Sequence, residues 1–295
     1  MVGIKKKLIN NIGWLYVLPI IIIIIIFKIV PLFDSIRMSF FSWDGWTEMK
    51  FVGLKNYIRM FTEDDNFPIA LKHSLIYQFG ITAVELVVAS LLAIIIDFRI
   101  RFWRIYRVIF FLPFILSAVV VILFWGKVFE YDGLLNNILI SLNLENLAIV
   151  WLFDPNRVQL IVTLIISWQY VPFSMIFILA GLQNIDNGIY EAAKIDGINN
   201  IQRIFKISLP LIKHVLMILT VLLLIANFRM FEHVLLLTGG GPNNSTQVLG
   251  TLLYKYAFNQ SELGYASVIA VVSISVALTL GIVYVRLTGY SSRKL

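Results

Sequence analysis

Long apolar runs alternate along this chain with short segments that hold most of its charge. The runs fall at about 12–33, 71–96, 108–128, 158–182, 211–231 and 265–285. Each is close to the ~20 residues that a helix needs to cross a bilayer. The first follows Lys5, Lys6 and Lys7 and contains seven consecutive isoleucines, Ile20 to Ile26. It outruns the roughly 7–15 apolar residues of a signal peptide, and no small-x-small cleavage site follows, so it is expected to be a retained span. Past Lys72 at its start, the second run carries one charge, Glu85. A charge at that depth costs ~2.5–3.5 kcal/mol and must face protein or water. A structural hydrogen bond to a neighbouring helix and a place along a polar path both meet that demand. Pro113 and Gly126 are expected to kink or loosen the third run. In the fourth, Ser167 to Phe173 mixes polar groups, aromatic rings and Pro172, which suits a helix lining a cavity. Asn227, Arg229, Glu232 and His233 cluster at the far end of the fifth.

The stretch Tyr190 to Pro210 is too polar to span and too regular for a plain loop. Glu191, Ala192, Ala193 and Lys194 are good helix formers. Asp186 or Asn187 can cap the start, and Gly197 can end the helix in a left-handed turn. A second short helix fits Asn199 to Ser208, with Ile201, Ile204, Phe205 and Ile207 near helical spacing. Pro210 suits the first turn of the next span. An interfacial amphipathic loop and a docking element both fit this helix–turn–helix.

Composition supports the membrane reading. Of 295 residues, 59% are hydrophobic and 14% charged, against roughly 45–50% and 25% in soluble domains. There is no cysteine, which excludes disulfides, thiol catalysis and cysteine-bound metal. The net charge of +7 could suggest nucleic acid, but its placement argues otherwise. Basic residues gather at the N-terminus, at Arg99, Arg101, Arg104 and Arg107, at Lys194, Arg203, Lys206 and Lys213, and at Arg286, Arg293 and Lys294. The intervening loops hold most of the carboxylates. Six spans with both termini in the cytoplasm satisfy the positive-inside rule. The basic balance is topology and attraction to a lipid surface, with no nucleic-acid partner.

Catalytic chemistry is missing. No Gly-x-x-x-x-Gly-Lys-Ser/Thr phosphate loop occurs, and the triple glycine before Pro242 lacks that ending. His73, His214 and His233 have no metal-ligand spacing. No Ser/His/Asp set can be assembled.

The string Glu191-Ala192-Ala193, three residues, Gly197, then Ile207-Ser208-Leu209-Pro210 resembles the EAA loop of permease subunits in binding-protein-dependent ABC importers. Gly53-Leu54-Lys55-Asn56-Tyr57, Phe110-Phe111-Leu112-Pro113, Asp132-Gly133-Leu134-Leu135-Asn136 and Thr238-Gly239-Gly240-Gly241-Pro242 are similar to motifs of the maltose-type carbohydrate branch, the last to its first-permease type. The resemblance runs from about Trp14 to Val285. It implies an all-α membrane protein with the type I ABC importer permease fold, one permease domain over 1–295, and a cytoplasmic coupling loop at 183–210. It implies coupling by Glu191, Ala192, Ala193, Asp196 and Gly197, and sugar contacts at Gln169, Tyr170, Phe173, Asn227 and Met230. It also implies a second homologous permease, two copies of an ATPase that uses ATP and Mg, an external solute-binding protein, and a bacterial cytoplasmic membrane. No cofactor is expected on this chain, and no metal. A glycerol-3-phosphate-type permease is the alternative cargo reading. An ion-coupled secondary transporter would need an ion site, for which only Glu85 is available.

Overall fold

A computed structural model describes residues 16–229 and 231–289. Lys5 to Lys7, the start of the first predicted span, Met230, Arg293 and Lys294 lie outside the described residues, as does the side chain of Arg229. The helices are α1 (Tyr16–Met38), α2 (Lys55–Thr62), α3 (Asn66–Asp97), α4 (Trp103–Ile115), α5 (Ala118–Val128), α6 (Leu134–Ser141) and α7 (Val158–Gln183). They continue with α8 (Asn187–Ile195), α9 (Asn200–Leu211), α10 (Lys213–Ala226), α11 (Phe231–Thr238), α12 (Leu249–Tyr254) and α13 (Leu263–Leu287). Among the described residues the only strands are Phe41–Ser42 and Lys50–Phe51.

Four helices, α1, α3, α7 and α13, are long and apolar enough to cross a membrane alone. Two bent pairs add to them: α4 with α5, at 96°, and α9 with α10, at 67°. Counting each pair as one span gives six.

The bends revise the predicted runs. The third run, expected at 108–128, starts at Trp103 and breaks at Leu116 and Ser117, whose ψ angles of 141° and 149° are extended. Pro113 has no N–H to give the preceding turn, which weakens the helix just before the break. Ser117 then caps α5, its hydroxyl accepting from the Val120 amide at 3.4 Å. In the fifth run, Pro210 falls before the break at Ile212 rather than in the first turn of α10. The second run begins earlier than 71 because Phe67 and Ala70 are already helical and buried.

The chain divides into two compact units. One holds the described residues up to Asp64 with Leu253–Val272. Here the segment after α1, read from sequence as a loop, contains a hairpin pairing Phe41 with Phe51 and Ser42 with Lys50, followed by α2. Asn56 explains that order: its amide donates to the carbonyls of Ser39 and Phe41 at 3.0 and 2.9 Å. Asp44 holds the hairpin turn, accepting from the Thr47 and Trp46 amides and the Thr47 hydroxyl at 2.8–2.9 Å. These bonds, the Thr47 amide first, then Trp46, draw its carboxyl down to about 2. Arg59 pairs with Glu262 at 2.6 Å and lies over the Tyr265 ring at 4.2 Å.

The other unit holds Asp65–Leu252 and the described residues from Ser273. Its core is the α3–α7 contact. Ala89, Ala93 and Ile96 of α3 meet Met175, Ile178, Leu179 and Leu182 of α7, with Leu219 and Leu223 of α10 closing the cluster. The two alanines let the helices approach closely. A second cluster joins Tyr77 and Ile81 to Val158, Val162 and Ile166.

Candidate functional site

Two sites emerge in the second unit, one polar seam between helices and one capped loop.

The loop is built by local chemistry. Asp186 is extended and its carboxylate accepts from the Gly188 amide at 2.9 Å, starting α8. At the other end Gly197 takes φ +75°. Its amide bonds Lys194 O at 3.1 Å, and the Ile198 amide reaches back to Ala193 O at 3.0 Å. This paired closure is the Schellman motif, which needs a left-handed residue that glycine supplies at little cost. Asn199 opens α9 with a reciprocal capping box: it accepts from the Gln202 amide at 2.9 Å, and Gln202 accepts from the Asn199 amide at 3.1 Å. A π-helical turn, Ile204–Ser208, widens α9.

Of the residues assigned to coupling, Glu191, Ala192, Asp196 and Gly197 are exposed, whereas Ala193 is buried and packs inward. Ile195, Ile201 and Phe205 are more than three-fifths exposed, so the loop presents large apolar side chains beside Glu191, Lys194 and Lys206. Behind α8 opens a polar cavity of about 680 Å³, lined by Asp97, Arg99, Trp103, Tyr190, Glu191 and Arg203 among others.

The seam runs where α3, α7, the turn Asn227–Arg229 and α11 meet. Gln78 Nε2 donates to Thr82 Oγ1 at 3.2 Å and to Leu223 O at 3.3 Å. Asn227 Nδ2 donates to the same Thr82 oxygen at 3.1 Å. Ser174 donates to Glu85 Oε2 at 3.1 Å, so the one charge in the middle of α3 meets a neighbouring helix through a hydrogen bond. Gln169 Nε2 donates to Leu116 O at 3.0 Å, while its Oε1 lies 2.7 Å from His233 Nε2. Because that amide nitrogen is committed to Leu116, the oxygen must accept, and His233 carries its proton on Nε2. Gln78 Oε1, Glu85 Oε1, Ser167 Oγ and His233 Nδ1 are enclosed without a protein partner.

The residues assigned to sugar contact therefore divide. Gln169 and Asn227 are buried and committed to internal bonds. Tyr170 is half-buried, edge-on to Phe114 and to His233 at 6.1 and 5.9 Å. Phe173 is exposed and stacks on Phe114 at 5.6 Å. Met230 lies outside the described residues. Sequence reading missed Gln78, Thr82 and Ser174 because isolated polar residues in apolar runs carry no periodic signal. His233 was visible as a residue, but nothing local pointed to Gln169.

Comparison with known proteins fits this geometry. The profile of a family described as "Binding-protein-dependent transport system inner membrane component" matches residues 85–295. The chain is 34% identical over 279 residues to the probable ABC transporter permease protein YurN of Bacillus subtilis, covering 93% of this chain and 95% of that protein. It is 32% identical over 266 residues to the lactose transport system permease protein LacF of Rhizobium radiobacter, covering 89% of each. In fold it is similar to a chain of a bacterial ABC transporter involved in import of the acidic polysaccharide alginate. The TM-score is 0.84 at 23% identity, over 98% of this chain and 99% of that one.

Proposed function

This chain belongs to the family of binding-protein-dependent transport system inner membrane components, and from that premise we propose that it is the sugar-translocating subunit of an ATP-driven importer. It works with a second, homologous permease, two copies of a cytoplasmic ATPase and an external solute-binding protein. ATP and Mg act on the ATPase; this chain holds neither. Both termini face the cytoplasm of a bacterial inner membrane. The observation that carries the reading is the doubly capped helix–turn–helix at 186–211, which exposes Glu191 together with Ile195, Ile201 and Phe205. Two hydrogen-bonded caps and a Schellman closure keep such an element rigid enough to be pushed. Nucleotide binding closes the ATPases, moves the loop and biases the spans between outward and inward access.

A neutral sugar is the cargo. Amides suit sugar hydroxyls and aromatic rings suit their apolar faces, and relatives include a lactose permease. A phosphate ester would ask for cations, and the polar seam described above offers amides, hydroxyls, a histidine and Glu85.

The test is purification of the tagged chain from its native membrane in mild detergent, followed by reconstitution. A second permease and an ATPase should copurify, and vesicles loaded with ATP should accumulate radiolabelled lactose, maltose or raffinose once binding protein is added. A homo-oligomer without any nucleotide-binding protein would defeat the reading.

A further inference from the structure

Arg203 is the last residue of the regular first turn of α9, just before the π-helical turn. Its side chain leaves its own helix and enters the polar cavity behind α8. There Nη2 meets Asp97 Oδ2 at 2.9 Å, with both side chains at most a quarter exposed. Two rings lie beside it: Arg203 Cζ is 3.8 Å from the centroid of Tyr190 and 4.7 Å from that of Phe98. Three elements therefore share one guanidinium. Asp97 ends α3 and Phe98 follows it. Tyr190 belongs to α8 and directly precedes Glu191. Tyr190 is tied a second time, its hydroxyl lying 3.2 Å from Ser208 Oγ on α9. Phe98 in turn packs on the α3–α7 core. Arg203 Nε is enclosed without a partner, so the site uses the plane and charge of the group more than its full set of donors. Lysine has no plane to lay over a ring and no fork for a carboxylate.

We propose that Arg203 is a positioning residue for energy coupling, a clamp that makes α8 and the end of α3 move together. This rests on the importer reading and adds to it the route from loop to spans. A load on α8 passes through Tyr190 and the guanidinium to Asp97, and so to the helix that carries Gln78, Thr82 and Glu85 of the polar seam. Without the clamp the loop still folds, because its caps at Asp186, Gly197 and Asn199 do not involve Arg203. The loop would then dock and move while α3 lagged behind it.

The experiment uses the assembled importer in vesicles and reads sugar accumulated per ATP hydrolysed, with radiolabelled lactose, maltose or raffinose, whichever the wild type takes up. That ratio does not depend on how much complex folds. Arg203→Ala should lower it about tenfold, within the range of single coupling contacts, with ATP hydrolysis retained. Arg203→Lys should also fall short of wild type. The exchange Asp97→Arg with Arg203→Asp should exceed either single change, because the ion pair is remade. A wild-type ratio in Arg203→Ala, or an exchange no better than the worse single variant, would overturn the clamp. Absence of ATP-driven uptake by the wild type itself would instead defeat the importer reading on which it stands.

Discussion

At the scale of the residue, Gln169 shows how a side chain can serve the backbone of another span. Its amide holds the Leu116 carbonyl, which the break between α4 and α5 has freed, and its oxygen holds His233. Replacing it by leucine leaves the buried His233 ring N–H unpaired, at about 1–3 kcal/mol, and removes the donor from the part-buried Leu116 carbonyl. Gln169→Leu is therefore expected to lower the thermal midpoint of the purified chain in detergent more than Tyr170→Phe does, measured by tryptophan fluorescence. Asp44 gives the second residue-scale prediction. Its folded carboxyl titrates at about 2, below the ordinary 3.8. A depressed carboxylate contributes stability that is fully present above its unfolded value and is lost as pH falls through the folded one. The hairpin turn should hold from pH 7 to 4 and loosen only below about pH 3. Fluorescence of Trp43 and Trp46, isolated by replacing the other tryptophans with phenylalanine, should report that step, and Asp44→Asn should abolish it.

At the scale of the element, the capped loop was the most legible part of the sequence. Asp186, Gly197 and the apolar spacing of Ile201, Ile204 and Phe205 are local signals, and local signals survive without knowledge of the fold. The capping box at Asn199 and Gln202 was equally local but went unread. What could not be read was where each side chain points: Ala193 faces inward while Ala192 is open, and Arg203 turns back to Asp97 across a long sequence gap. The same limit applies to the sugar-contact assignments, because a polar residue in a span shows its chemistry but not whether a neighbouring helix has already used it. Gly197→Val should strain the left-handed turn by roughly 1–2 kcal/mol and, like Glu191→Lys, leave membrane insertion intact while uptake falls. Membrane yield and vesicle uptake, measured side by side, check this. Uptake equal to wild type in both variants would remove the loop from coupling.

At the scale of the whole molecule, hydropathy alone located the apolar runs, but their count reaches six only when each bent pair is taken as one span. Length measures apolar content and is blind to direction, so a bend of 96° leaves no trace in a hydropathy window. The proposed topology predicts that a cysteine placed at Ile195 reacts with an impermeant maleimide from the cytoplasmic side only, and one placed at Trp46 from the opposite side only. The chain has no cysteine of its own to interfere. Labelling of both from one side would refute the orientation. The break at Leu116 also bears on how the protein is made. The carbonyl it frees is held by Gln169, a residue synthesised some fifty positions later. While residues 103–128 leave the ribosome, no such partner exists, and hydrocarbon penalises a free backbone carbonyl. The segment is therefore expected to enter the bilayer straighter than it ends and to gain its full bend when α7 arrives, which would write the shape of one span into the sequence of another and the order of their insertion.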